Sequence, residues 1–107
     1  DVYKSQPVDV NSTDADVAAF VSAYTEKYGD TPDQFAADGY DAVKILYSAM
    51  TAAGVDNVTI DPASLADLVK PVLTGGTFSY SGVTGKNMTW TTDGSCNKDA
   101  NIVTLDR

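Results

Sequence analysis

Histidine is absent from this chain, cysteine occurs once, and seven basic residues face fifteen acids. Each shortage excludes a class of chemistry. Without histidine no Ser/His or Cys/His nucleophile pair can be assembled, and Cys96 has no activating base near it in sequence. Zinc would have to be held by carboxylates, an unusual donor set, so no metal and no cofactor is expected. A lone cysteine makes no intrachain disulfide, which rules out a disulfide-stapled mini-protein and leaves the compartment open. The formal net charge of −8, with Lys and Arg scattered along the chain, argues against nucleic acid, whose phosphates require a clustered basic surface. No apolar run approaches the roughly 18 residues that a membrane span needs.

What is present fits one globular domain or a piece of one: 107 residues, 43% apolar and 21% charged, within the usual range for soluble domains. Acidity on this scale mainly means solubility. The sequence opens at Asp1 without methionine or a signal-peptide pattern, so removal of an upstream segment is the expectation.

The longest regular stretch is Thr31 to Gly54. Thr31 is placed to cap a helix, with Gln34 reaching back to it and Pro32 at the first helical position. Ala36, Tyr40, Val43, Leu46, Tyr47 and Met50 recur every three or four residues, so they share one face and are expected to bury it together. Gly54 supplies a left-handed stop.

Before it, residues 1–11 lack helical period and read as an extended lead-in. Ser12 or Thr13 caps a first helix, with Asp14 and Asp16 in its opening turn. Its stripe is Val17, Phe20, Val21, Tyr24 and Tyr28, and Gly29 ends it. The short connection predicts that these two helices pack as a close pair. After a loop at 55–60, Asp61-Pro62 restarts a helix whose stripe is Leu65, Leu68, Val69, Val72 and Leu73, with a kink or fraying expected at Pro71. From Thr77 the period becomes alternating: Phe78, Tyr80, Met88, Trp90, and finally Ile102 to Leu105, separated by glycine turns. The expected elements are helices at about 13–28, 32–53 and 62–73 and strands at about 77–81, 86–92 and 101–106, all in a single partial domain of the α/β class.

No catalytic constellation emerges. Most carboxylates are accounted for by helix caps and solvated surface. Asp93 to Asp99 superficially suggests a calcium loop, but the glycine and the distal acid stand at the wrong places, so it reads as a turn. Gly82-Val-Thr-Gly85 and Gly75-Gly76 lack the lysine and the strand-to-helix setting of a phosphate loop. Triplets at Asn11, Asn57 and Asn87 fit the glycosylation pattern only in a secretory setting. Tyr47 reads as core. Tyr40 stands near the start of the long helix, where an aromatic with a polar tip can face a cleft or join the core.

The run Phe20-Val-Ser-Ala-Tyr24-Thr-Glu-Lys-Tyr28-Gly29, the stretch from Pro32 to Ala36-Ala-Asp-Gly-Tyr40-Asp41-Ala-Val43, Ala52-Ala-Gly54, Phe78-x-x-x-Gly82-Val-Thr-Gly85 and Trp90-Thr-Thr-Asp-Gly94 stand in an order and spacing that resembles the C-terminal part of the leucine/isoleucine/valine-type periplasmic-binding proteins. These are the bacterial extracellular solute receptors of ABC importers. The resemblance implies two α/β lobes of type I fold enclosing a small amino-acid-like ligand, of which this chain is a fragment of one lobe. It implies an ABC permease as partner, an extracytoplasmic location (periplasmic or lipid-anchored), no catalysis, and apolar faces that a second copy of the fragment would cover as a homodimer. It also implies Tyr40 and Asp41 as ligand-binding residues, an aromatic face against the solute and a carboxylate for its ammonium. The plainer reading keeps Tyr40 in the core and Asp41 as a solvated or hinge-bonding acid. Rival functions are a sensory ligand-binding domain of the same fold, a small carboxylate enzyme for which no acid pair can be named, and an interaction module pairing its strand-rich end with another sheet edge.

Overall fold

The computed structural model describes residues 2–5, 8–57, 59–99 and 102–105. In chain order it runs β1 (Val2–Ser5), α1 (Ala15–Tyr28), α2 (Gln34–Ala52), α3 (Pro62–Thr74), β2 (Thr89–Trp90), β3 (Cys96–Asn97) and β4 (Ile102–Leu105). Three helices with short antiparallel strands make an α/β arrangement. The lead-in residues form β1, which pairs antiparallel with β4, Val2 opposite Leu105 and Ser5 opposite Ile102. Residues 101 and 106, expected to extend the last strand, lie outside the described residues.

Aspartates set the helix starts, and this shifts two of them from expectation. Asp14, not Ser12 or Thr13, caps α1, accepting from the Asp16 and Val17 N–H groups at 3.0 and 3.1 Å. Asp33, not Thr31, caps α2 and accepts from Ala36 N–H at 2.8 Å. An ionised oxygen makes a stronger bond to an orphan N–H than a hydroxyl does, so the acid nearest the first turn wins. Pro32 therefore precedes the cap and is buried. Asp61 caps α3 as the spacing predicts, with Pro62 at its first position and Ser64 bonded through both N–H and hydroxyl. Gly29, at φ 73°, closes α1, and Gly54, at φ 76°, follows the last turn of α2. Pro71 does not end α3, which continues to Thr74.

Val8, Val17, Phe20, Ala37 and Val83 form the main core cluster, with Val21, Tyr24 and Ala36 packed against it. Thus α1 meets α2 near the start of α2, with Val8 and Val83 filling the space beside them. The close lengthwise pair expected for α1 and α2 gives way to packing of α2 on α3, where Ala49 and Val69 are buried. The stripe of α2 is not buried together: Val43 is 70% exposed, Leu46 50% and Tyr47 72%. Tyr47 is therefore no core residue.

The alternating segment forms less ladder than its pattern predicts. Tyr80 and Met88 make one isolated bridge, and Trp90 pairs with Cys96. Between them residues 81–87 turn sharply: Gly82 N–H reaches Gly85 O at 2.8 Å, and Asn87 adopts φ 51°. Backbone donors that would extend a ladder point instead at a side chain of α2.

Candidate functional site

That side chain is Asp41, 2% exposed. One carboxylate oxygen accepts from Val83 N–H at 3.0 Å, and the other accepts from Thr84 N–H at 2.8 Å and from the Thr84 hydroxyl at 2.5 Å. A buried carboxylate is tolerated only when its charge is met by donors. Here a turn 42 residues away supplies three. Gly82 has to be glycine, because a Cβ there would lie 2.6 Å from the Asp41 carboxyl carbon. The Thr84 hydroxyl also lies 3.9 Å from the sulfur of Met88, the most deeply buried large side chain. The second turn of α2 and the 82–84 loop are thereby locked to each other.

On the other side of this lock lies an open cavity of about 790 Å³. Three segments line it. The helical spacing of α1 brings Phe20, Tyr24 and Tyr28 to one wall, α2 contributes Tyr40 and Lys44, and residues 80–83 close a third side. The rings form a stepped array: Tyr28 and Tyr24 have centroids 4.7 Å apart, Tyr24 and Phe20 6.0 Å, Phe20 and Tyr40 4.7 Å, with planes inclined by 43 to 51°. Tilted pairs of this kind satisfy the quadrupoles of the rings and still leave faces open. Tyr40 is 41% exposed, with one part on Phe20 and another toward the cavity.

Charge in the cavity is uneven. Lys27 stands over the Tyr28 ring at 5.6 Å and Lys44 over the Tyr40 ring at 5.5 Å, cations set against π faces. Asp16, the acid in the lining, lies 3.5 Å from Lys86, which also pairs with Asp14 at 3.4 Å. Among the described residues, Lys86 alone makes such ion pairs. Burial pushes the Tyr80 hydroxyl above its ordinary value, and the charge of Asp41 adds to the effect, so the phenol stays neutral at physiological pH.

The two residues singled out in the sequence are thus adjacent and differently used: Tyr40 lines the cavity and Asp41 turns inward to the loop. Sequence reasoning missed Tyr24, Tyr28, Tyr80, Lys27 and Lys44 as cavity residues. The aromatic spacing of α1 was the available signal, but it is equally the signal of a core stripe. Cys96 is exposed in β3. Asp93 accepts from the Thr91 hydroxyl and from Ser95 N–H at 3.0 Å, which lowers its carboxyl to about 2 and closes the β2–β3 turn. Among the described residues no three metal-ligating side chains converge, and no helix is long and apolar enough to cross a membrane.

Comparison with known proteins adds context to this geometry. A family model described as periplasmic binding protein matches residues 2–107. No curated protein matches the chain. Among solved structures, a candidate branched-chain amino acid ABC transporter protein from Rhodospirillum rubrum superposes with TM-score 0.71 at 31% identity, over 94% of this chain and 27% of that one. An ABC transporter substrate-binding protein from Desulfitobacterium hafniense superposes with TM-score 0.65 at 25% identity, over 92% of this chain and 26% of that one. The chain therefore spans about a quarter of the length of these two proteins.

Proposed function

Since the chain belongs to the periplasmic binding protein family, we propose that it is part of a two-lobe receptor that captures a small amino-acid-like solute outside the cytoplasm and presents it to an ABC permease. The family match along residues 2–107 carries this reading. The receptor acts in the periplasm or from a lipid anchor, and no covalent chemistry takes place. Solute touches both lobes only when they are closed, so it favours the closed state by its differential affinity for it. A permease that recognises that state distinguishes loaded from empty receptor.

Within this mechanism Tyr40 touches the solute with its ring. Asp41 acts one step behind it, through the loop that carries Val83 and Thr84, to hold Tyr40 and residues 80–83 as a fixed wall. Preorganisation of this kind raises affinity because the wall loses no freedom on binding.

The test uses a receptor of the relatives' length that carries these residues. Tyr40→Ala is expected to weaken solute binding about tenfold or more in calorimetry, the loss typical of an aromatic contact worth about 1.4 kcal/mol. The 107 residues alone should give no micromolar binding of leucine, isoleucine or valine. Unchanged affinity in Tyr40→Ala would remove Tyr40 from the site, and micromolar binding by the chain alone would overturn enclosure between two lobes.

A further inference from the structure

The aromatic cavity carries a more specific message than a small solute. Its volume of about 790 Å³ lies in the range of small-molecule sites, about 300 to 1,000 Å³. One wall is the ladder Tyr28, Tyr24, Phe20 and Tyr40, whose neighbouring centroids lie 4.7 to 6.0 Å apart. Such a spacing accepts a further ring in the same tilted or offset stacking. The two cations of the lining, Lys27 and Lys44, stand beside rings of that ladder rather than away from them, so positive charge adjoins apolar surface at two places. Its acid, Asp16, is already paired with Lys86. Asp41 lies behind the wall, with both oxygens occupied by the 82–84 loop.

We propose that this cavity takes a small aromatic monocarboxylic acid, its ring stacked on the Phe20–Tyr40 part of the wall and its carboxylate against the Lys44 ammonium beside Tyr40, with Lys27, at the Tyr28 end of the ladder, adding to the positive field. The proposal rests on the solute-receptor reading and narrows the solute class for this part of it. A cavity of surplus positive charge, in a chain of net charge −8, selects an anion with an apolar body over a cation. A zwitterionic amino acid would bring an ammonium for which this lining holds no unpaired carboxylate among the described residues, so that group would have to be met elsewhere in the receptor. Tyr80, whose hydroxyl stays neutral, is a further polar group of the lining.

Amide chemical shifts of the labelled 107-residue chain test this, with benzoate, its neutral isostere benzamide, and leucine titrated to tens of millimolar. Benzoate is expected to move the Tyr24, Tyr40 and Lys44 signals with a millimolar Kd, about threefold tighter than benzamide, the size of a solvent-exposed ion pair. Lys27→Ala/Lys44→Ala, both exposed positions, should erase the difference while leaving benzamide binding intact. Equal binding of benzoate and benzamide to the unsubstituted chain would overturn the acid preference. Shifts with leucine but none with benzoate would overturn the aromatic class and leave the receptor reading standing. If no probe moves these signals the proposal also fails, and the receptor reading is then judged separately by Tyr40→Ala in the longer protein.

Discussion

Asp41 and Gly82 depend directly on each other, since any Cβ at position 82 would meet the Asp41 carboxyl group. Removing the carboxylate leaves two buried N–H groups without acceptors, so Asp41→Ala is expected to cost about 3 to 5 kcal/mol in urea unfolding. The milder Thr84→Val, which deletes one donor, should cost about 1 to 2 kcal/mol. Gly82→Ala drives a methyl group into the same carboxylate, and here the two sites must couple. In the Asp41→Ala background the added methyl has nothing to strike, so Gly82→Ala should cost about 1 to 3 kcal/mol less there than in the unsubstituted chain. Strict additivity would mean that the 82–84 loop does not rest on Asp41.

Exposed aspartates set the acid response. Asp93 is lowered to about 2, first by the Thr91 hydroxyl; Asp14 is lowered by its bond from Val17 N–H and Asp61 by its bond from Ser64 N–H. A carboxylate whose folded value lies below its unfolded value stabilises the folded state fully above the unfolded value. That contribution fades as pH falls through the folded one. The window therefore opens near the ordinary value of 3.8 and closes near 2. Carbon-detected titration should put the Asp93 midpoint near 2 and those of Asp14 and Asp61 below 3.8, and circular dichroism should hold its helical signal from neutral pH down to about 4. A normal Asp93 midpoint would mean that its turn is not formed in solution.

At the scale of elements, α3 carries a local conflict. Pro71 lacks the N–H that would bond one turn back, and a proline inside a helix typically costs about 3 kcal/mol. The helix nevertheless runs on to Thr74, whose hydroxyl bonds Lys70 O at 2.8 Å. Pro71→Ala is therefore expected to raise stability by about 1 to 3 kcal/mol, read from the urea midpoint, and a loss would show that the ring packs where alanine cannot. The same helix shows what was legible from sequence. Asp61-Pro62 announces its start because a cap and a first-turn proline act over three or four residues. The α1 and α2 starts were misplaced by two residues because several capping side chains stand in a row, and only the bonds formed decide among them. The β segment was legible as alternation but not in extent, since the donors of residues 83 and 84 answer to Asp41, a partner that no local pattern reveals. For the same reason Tyr40 could be singled out by its place near the start of α2, whereas its neighbours Tyr24 and Tyr28 could not be told from core residues.

As a whole the chain is open. Its radius of gyration is 16.0 Å with extents of 50 × 30 × 20 Å, against about 13 Å for a compact chain of this length. Phe35, Val43 and Tyr47 stand 70% or more exposed along α2, and no described residue covers them. Periodicity pointed to the stripe through Tyr40, Val43, Leu46 and Tyr47, whereas α2 buries Ala37, Asp41 and Ala49; burial depends on what lies across a face, which a helix cannot encode by itself. Solution scattering should return a radius near 16 Å, and a dye sensitive to apolar surface should brighten on the native chain. Val43→Glu/Tyr47→Glu should dim the dye while changing stability by no more than about 0.5 kcal/mol per site. A radius near 13 Å, or a large loss of stability in that variant, would mean that the face is closed in solution.

The pairing of β1 with β4 has a mechanical consequence. Val2 stands opposite Leu105 and Ser5 opposite Ile102, so the intervening chain hangs from a two-stranded neck. Tension applied to the two ends would open that neck like a zipper, one rung at a time, and leave the helices unloaded until the last rung parted. The same neck would let the segment be grafted as a cassette into the tip of a hairpin in an unrelated host, entering and leaving at neighbouring points without stretching either partner.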